Sequence, residues 1–306
     1  MSTTKPNEHG EGDVGVWHHC LCQPQQNFVL VSSDTDVWMY GLLMMELSCQ
    51  LQVKQVYVKV LNSSSLVYVN VTQLYEAVTA HPTLGKIRHP CTSLVALYIA
   101  TGSDYLSFFY RLTKQKFLNI FLQNLDYIIC CDNQFLYICA NSIEIIEESW
   151  IKLVTSVYFY RHPKFFKSKT IACIHYGVTH SPTADPFANM LKWLGCTEKI
   201  TDLKGWHNFI RKATFHLSSV GKDYEAKVMP SWDALVLHCK RANYVMNMIH
   251  SANSTSCSIL KEYKHYGWKH IDNHIAINWG SVEQIHQLHI NRPPYTNSIN
   301  YNRPLT

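Results

Sequence analysis

Short apolar runs and longer apolar stripes alternate along the first half of the chain. Residues 27–33 form a continuous run rich in valine, which is typical of a strand buried on both faces. Residues 37–47 are apolar all round and rich in leucine and methionine, which favours a helix. The stretches QVYVKV, residues 55–60, and LVYVNV, residues 66–71, alternate around a polar turn. This pattern predicts a β-hairpin.

Helical periodicity continues beyond the hairpin. The predicted helices cover residues 71–80, 92–100, 113–125, 143–160, 187–194 and 233–250. In the fourth of these, Ile146, Trp150 and Leu153 recur along one stripe, and Glu147 and Glu148 favour a helical first turn. After His162 the sequence is broken by prolines, so short helical pieces and loops are expected there before the last helix.

The order of these elements predicts the fold class and the domain organisation. Strands and helices interleave through the first half, which favours an α/β layer fold. The sequence texture changes between residues 161 and 169. We therefore expect a first domain at residues 1–165 and a helical, loop-rich region at residues 166–306. No repeat of fixed period is visible.

Composition and charge indicate how much of the chain folds, which partners suit it and which compartment it occupies. Of the 306 residues, 47% are hydrophobic, so most of the chain is expected to fold, and the formal net charge of +5 is compatible with a phosphate-rich partner. Eleven cysteines show no repeated CxxC pairing, which favours reduced thiols in an intracellular protein. No window reaches the ~18 apolar residues of a membrane span, so no membrane association is expected.

Two aspartates, Asp34 and Asp36, stand between the valine-rich run and the next apolar segment. Residues two apart in an extended strand point to the same side, so both carboxylates are expected to face one crevice at the carboxyl end of the sheet. Like charges held that close favour a cation between them, and a hard cation such as Mg²⁺ or Mn²⁺ takes oxygen ligands. The alternative is a helix cap with a solvated neighbour.

Three further acids extend this pattern. Asp104 follows Gly102 and Ser103, where glycine permits a sharp turn, and Glu11 and Asp13 form another pair of acids one residue apart. Five carboxylates are about what a two-metal site for phosphodiester cleavage uses, with the ions roughly 3.5–4 Å apart. The alternatives are a turn cap for Asp104 and a disordered start for the first pair.

Several of these segments resemble a known family. EGDVGVWHH, FVLVSSDTDVWMYGLL and ATGSDYLSFFYRLTKQKFLNIF look like the core of PIN-like nucleases of the flap-endonuclease and XPG type, and are most similar to the nuclease-like proteins associated with animal mobile elements. The resemblance implies a PIN-like parallel-sheet core. It assigns Glu11, Asp13, Asp34, Asp36 and Asp104 to the metal ligands, with the last three as catalytic residues. A later stretch, PSWDALVLHCKRANYVMNMI, extends the likeness.

The resemblance implies a function in the nucleus with DNA, branched or single-stranded, as the partner. In the first hypothesis the chain is a metal-dependent endonuclease, and Arg111, Lys114 and Lys116 hold the substrate strand through its phosphates. In the second it is a non-catalytic nucleic-acid-binding or interaction protein derived from such a nuclease. Family members carry additional metal-binding aspartates upstream of the first acid pair, and the chain as given begins after them. We therefore expect an incomplete sheet and a partial ligand set.

Two other clusters carry weaker signals. The segment HHCLC, residues 18–22, contains metal-capable side chains, but no second cluster with zinc-finger spacing accompanies it, so zinc is not expected. The aromatic residues Tyr263, Tyr266 and Trp268 are interleaved with lysines. They form either a surface on which bases stack or a small aromatic core.

Overall fold

The structure is a computed structural model, and it describes residues 12–23, 27–32, 34–48, 51, 54–61, 66–129, 132–139, 142–161, 190–191, 194–197, 199–218, 228–253, 263–271 and 274–278. These residues form a mixed α/β fold, which confirms the predicted fold class at that level. No helix among them is long and apolar enough to cross a membrane. The predicted domain boundary near residue 165 lies outside the described residues.

The elements follow the chain in this order. Up to the tight turn at residues 102–106, which we call the acid turn because it contains Asp104, they are α1 (Gly12–Cys22), β1 (Asn27–Ser32), α2 (Thr35–Leu47), β2 (Gln55–Leu61), β3 (Leu66–Asn70), α3 (Val71–Thr79) and α4 (Pro90–Ala100). After it come α5 (Lys114–Gln123), α6 (Leu125–Ile128), β4 (Leu136–Cys139), β5 (Ser142–Ile145), α7 (Glu147–Arg161), α8 (Leu203–Ser218), α9 (Trp232–His250), β6 (Trp268–Ile271) and β7 (His274–Ile277).

A three-stranded sheet orders the first part of the fold. β1 pairs with β2 in parallel, and β2 pairs with β3 in antiparallel register, so the predicted hairpin is confirmed. The prediction that β1 is buried on both faces is wrong, because Val29 and Val31 are 58% and 61% exposed while Phe28 and Leu30 pack against the core. The helices cover one face of this sheet in the described residues.

A tryptophan fixes α1 against the start of α2. Trp17 is fully buried, and its Nε1 donates a hydrogen bond to the carbonyl oxygen of Val37 at 2.8 Å. The ring lies over Gly41, where a Cβ atom would come within 2.5 Å of Trp17 Cζ2. Only glycine leaves room for the ring there, so α1 and the first turn of α2 are locked together.

The segment predicted as one helix at residues 143–160 divides into two elements. Residues 142–145 form β5, paired in antiparallel register with β4, and the helix α7 begins at Glu147. Asn243 and Asn247 of α9 bind the backbone of β5 at Ile145 and Ile143. The prediction failed here because those partners lie about one hundred residues away in the chain.

The remaining predicted helices are confirmed within one or two residues, except for residues 187–194. Most of that segment lies outside the described residues. Helix α8 was not predicted, although its apolar residues lie on one stripe that includes the buried Trp206 and Ile210. Beyond residue 161, α8 and α9 both pack against α7.

A carboxylate from α2 caps α4. His89, the residue before Pro90, provides no side-chain cap, and Glu46 accepts the N–H groups of Cys91 and Thr92 at 3.2 and 2.7 Å. We expect Glu46→Ala to lower the free energy of unfolding by about 1–2 kcal/mol, because two N-terminal donors lose their acceptor and the helix dipole loses a charge. Urea unfolding checks this. Glu46→Gln, which keeps one acceptor oxygen, should lose less, and an equal loss would contradict the capping role.

Candidate functional site

Asp34 begins α2 as its N-cap. Its backbone is extended, with φ −89° and ψ 134°, and its side chain accepts the N–H of Asp36 at 2.9 Å. Its own N–H donates to Ser32 Oγ at 2.9 Å, which joins the end of β1 to the helix. Asp34 is therefore a helix cap, which was the alternative interpretation of its position in the sequence. Asp36 lies in the first helical turn, so the prediction that both carboxylates project from extended backbone is wrong.

Asp36 is hydrogen-bonded to two tyrosines. Its Oδ1 accepts the hydroxyl of Tyr98 at 2.6 Å, and its Oδ2 accepts the hydroxyl of Tyr40 at 3.4 Å. Burial, together with the hydrogen bond to Asp36, raises the pKa of Tyr98 to about 12, so the phenol stays protonated and continues to donate. These bonds fix the Asp36 carboxylate between α2 and α4.

Asp104 lies in a tight turn after α4. Gly102 has φ +128°, which side-chain-bearing residues rarely adopt, and Ser103 and Leu106 exchange two backbone hydrogen bonds of 3.1 Å. The carboxylate of Asp104 is exposed at the tip of this turn. The sharp glycine turn predicted from the sequence is confirmed.

Lys114, the first residue of α5, lies beside these acids. Its Nζ donates to the backbone carbonyl of Tyr98 at 2.9 Å and lies 3.2 Å from the centroid of the Tyr98 ring. Burial lowers the pKa of Lys114 to about 8, while the charges of Asp36 and Asp104 act in the opposite direction. The ammonium group is thus within the electrostatic field of both carboxylates, a placement that its sequence position did not reveal.

The described ranges contain no group of three or more His, Cys, Asp or Glu side chains placed to hold a metal ion, and the metal site stays a prediction. Asp34 Oδ1 and both oxygens of Asp36 accept the hydrogen bonds described above, and the Lys114 ammonium adds a positive charge that repels a divalent cation. Asp13 is half-buried on α1, and Glu11 lies outside the described residues.

Three other cations converge beyond α5. Burial and the neighbouring Arg161 both lower the pKa of Lys116, and burial is the larger cause. Burial also lowers the pKa of Arg161, and Arg111 adds to that effect. We call Arg111, Lys116 and Arg161 the cation cluster. Arg161 was missed by sequence reasoning, because only the fold brings the end of α7 to the start of α5.

Helix α9 packs against the end of α4, just before the acid turn. The Nε2–H of His238 donates to the carbonyl of Ala100 at 2.7 Å, and the His238 ring stacks on Trp150 with centroids 5.7 Å apart. Arg241 is buried and donates to the carbonyls of Gly267 and Asn278. The stretch PSWDALVLHCKRANYVMNMI therefore contains packing residues that hold α4 and β5 in place.

The two weaker clusters have structural explanations. His18 Nδ1 is 2.9 Å from the carbonyl oxygen of Ala252, which anchors α1 to the end of α9. Tyr266 and Trp268 each pack edge-on against Tyr244 with ring centroids 5.1 Å apart. These contacts favour the small aromatic core over a base-stacking surface at that position.

The structure therefore brings together Asp34, Asp36, Asp104 and Lys114 on one side and the cation cluster on the other, joined by the segment between the acid turn and α5.

Comparison of the chain with known proteins finds no matching family, no matching curated protein and no matching solved structure.

Proposed function

We propose that this chain is a nuclease-like protein that binds DNA through phosphate contacts and needs no divalent metal to do so. The observation that carries the proposal is the cation cluster of Arg111, Lys116 and Arg161. Burial, with a smaller effect of a neighbouring positive charge, lowers the pKa of Lys116 and of Arg161, and an anionic phosphate at the cluster is attracted by all three cations at once. The resemblance to PIN-like nucleases, with a function in the nucleus, supports DNA as the source of the phosphate.

The acid side of the site supports this proposal in a second way. Lys114 balances the charge of Asp36 and Asp104 from within the chain, since its ammonium is held by the Tyr98 carbonyl and ring. A protein in which a lysine balances the negative charge of the carboxylates can keep this fold without a bound metal ion. We therefore place non-catalytic DNA binding first.

The second candidate is a Mg²⁺- or Mn²⁺-dependent phosphodiester hydrolase that uses Asp34, Asp36 and Asp104. It is favoured by one observation: Asp36 and Asp104 come from different segments and both act on the same ammonium group. Convergence of two carboxylates is a requirement of metal-dependent cleavage, although it is not sufficient for it.

A Mn²⁺ titration separates the two candidates. Calorimetry of the wild-type chain is expected to show little or no saturable Mn²⁺ binding. Lys114→Met removes the repelling charge and should bind Mn²⁺ more tightly, by on the order of tenfold. Asp36→Ala added to Lys114→Met should abolish that gain. Tight Mn²⁺ binding by the wild type, with cleavage of a branched DNA in the same sample, would establish the hydrolase instead.

The role of the cation cluster is tested by binding in the presence of EDTA. A fluorescein-labelled branched DNA is titrated with the full chain at several salt concentrations, and fluorescence anisotropy is recorded. Arg161→Gln and Lys116→Gln should each weaken binding and reduce the salt slope by about one. The matched control is Lys86→Gln. Lys86 is exposed and precedes the N-terminal end of α4, whereas the acid turn follows the C-terminal end, so this variant should bind like the wild type. Equal affinities for all four proteins would overturn the proposal.

A further inference from the structure

The segment that joins the acid turn to α5 exposes three aromatic rings. Tyr105, Phe108 and Tyr110 are 37%, 66% and 39% exposed. Large aromatic side chains are ordinarily buried or used in binding, and here three within six residues are exposed. We call these three side chains the aromatic platform.

Cations of the site lie against the platform. The guanidinium groups of Arg111 and Arg161 are 5.1 and 6.0 Å from the centroid of the Tyr110 ring. The ammonium group of Lys114 is 5.9 Å from the centroid of the Phe108 ring. Aromatic rings and positive charges are therefore adjacent here, and this is the combination with which proteins bind the bases and phosphates of a single strand.

Contacts made by Phe108 and Phe109 hold the platform in place. Phe109, between the two outward rings, is buried and packs against Phe117 and His238 with centroids 5.2 Å away in each case. Phe108 lies over Gly102, where any Cβ atom would clash with its ring. A surface that is already ordered loses little conformational entropy when a ligand binds.

One donor in this region lacks an acceptor. Arg161 Nη1 is buried without a hydrogen-bond partner among the described residues. A buried donor with no acceptor is energetically costly, and phosphate is the anion that guanidinium groups bind in a bidentate manner. Arg161 as a residue is half-buried, and therefore part of its side chain remains in contact with solvent.

We infer that the aromatic platform and the cation cluster together bind single-stranded nucleic acid, with bases stacked on Phe108 and Tyr110 and phosphates at Arg111 and Arg161. This inference rests on the proposed DNA binding and names its substrate class. Base faces are accessible only when they are not stacked in a duplex, so a platform of exposed rings discriminates against double strands. The charge complementarity argues for a nucleic acid over an apolar protein surface.

The test compares a single strand with a duplex. A fluorescein-labelled dT20 oligonucleotide and a labelled hairpin duplex are titrated with the full chain in EDTA, and anisotropy is recorded. The wild type should prefer dT20. The double variant Phe108→Ala with Tyr110→Ala should lose on the order of tenfold to a hundredfold in dT20 affinity, because each base stack contributes roughly 1–3 kcal/mol. Its salt slope should stay that of the wild type, since no phosphate contact is removed.

Two further variants keep the test decisive. Phe108→Trp retains a stacking face and should retain dT20 binding, and Tyr137→Ala, which removes a 51% exposed ring from β4, should have no effect. If the double variant binds dT20 as the wild type does, or if the wild type binds duplex and dT20 equally, this inference is overturned while the proposed DNA binding stands. If the wild type binds neither probe, both fail.

Discussion

Asn247→Ala is expected to lower the free energy of unfolding by about 2–4 kcal/mol, because it leaves the buried edge of β5 without its partner. The Oδ1 of Asn247 accepts the N–H of Ile143 at 2.7 Å, and its Nδ2 donates to the Ile143 carbonyl at 3.1 Å. The side-chain amide thus pairs with the strand as a neighbouring backbone would. Water cannot replace it readily, since Ile143 is fully buried.

Urea unfolding followed by circular dichroism measures this effect. Asn247→Asp keeps an acceptor and loses the donor, so it should also destabilise. Asn243→Ala removes a single bond of 2.9 Å to the N–H of Ile145 and should cost about 1 kcal/mol. A loss for Asn247→Ala no larger than that for Asn243→Ala would contradict the pairing role.

Acidification is expected to destabilise the fold through two buried histidines. Burial is the main cause that lowers the pKa of both His238 and His207 to about 4, from an ordinary value of 6.5. Between those values the unfolded chain binds protons that the folded chain does not. The free energy of unfolding is therefore highest above pH 6.5 and falls as the pH drops towards 4. Each histidine contributes a loss of about 2 kcal/mol by pH 5.

Burial and one nearby arginine for each ring explain why neither histidine accepts a proton easily. For His238 the added positive charge is that of Arg241, while the hydrogen bond to the Ala100 carbonyl acts in the opposite direction. For His207 the added positive charge is that of Arg211, while the hydrogen bond to the Pro230 carbonyl at 3.2 Å acts in the opposite direction. Urea midpoints at pH 7.5, 6.5 and 5.5 give the dependence. His238→Gln should flatten it, and a slope equal to that of the wild type would contradict the assignment to His238.

The elements that the sequence predicts well are those whose pattern is local. The hairpin of β2 and β3 has alternating β-branched residues on both sides of a polar turn, and α9 begins at a serine cap with a clear apolar stripe. β5 was predicted as helix because the apolar spacing of residues 143–154 continues without a break from the strand into α7. What makes it a strand is its pairing with β4 and with Asn247, which no local pattern contains.

In the candidate site too, the features set by local sequence could be predicted, and those set by tertiary packing could not. The acids were found because Asp34, Asp36 and Asp104 follow apolar segments, and the glycine turn could be inferred from residue type alone. The position of Lys114 over Tyr98 depends on how α5 meets α4, and the approach of Arg161 depends on α7. Sequence spacing carries neither contact. The proximity of a lysine to the acids is therefore set by tertiary packing.

The most direct measurement is the anisotropy of labelled dT20 titrated with the wild-type chain and with Arg161→Gln, both in EDTA and at two salt concentrations. DNA binding through the cation cluster predicts that the wild type binds without metal and that Arg161→Gln binds more weakly, with a salt slope smaller by about one. Binding that appears only when Mn²⁺ is added, or that is unchanged by Arg161→Gln, would contradict it.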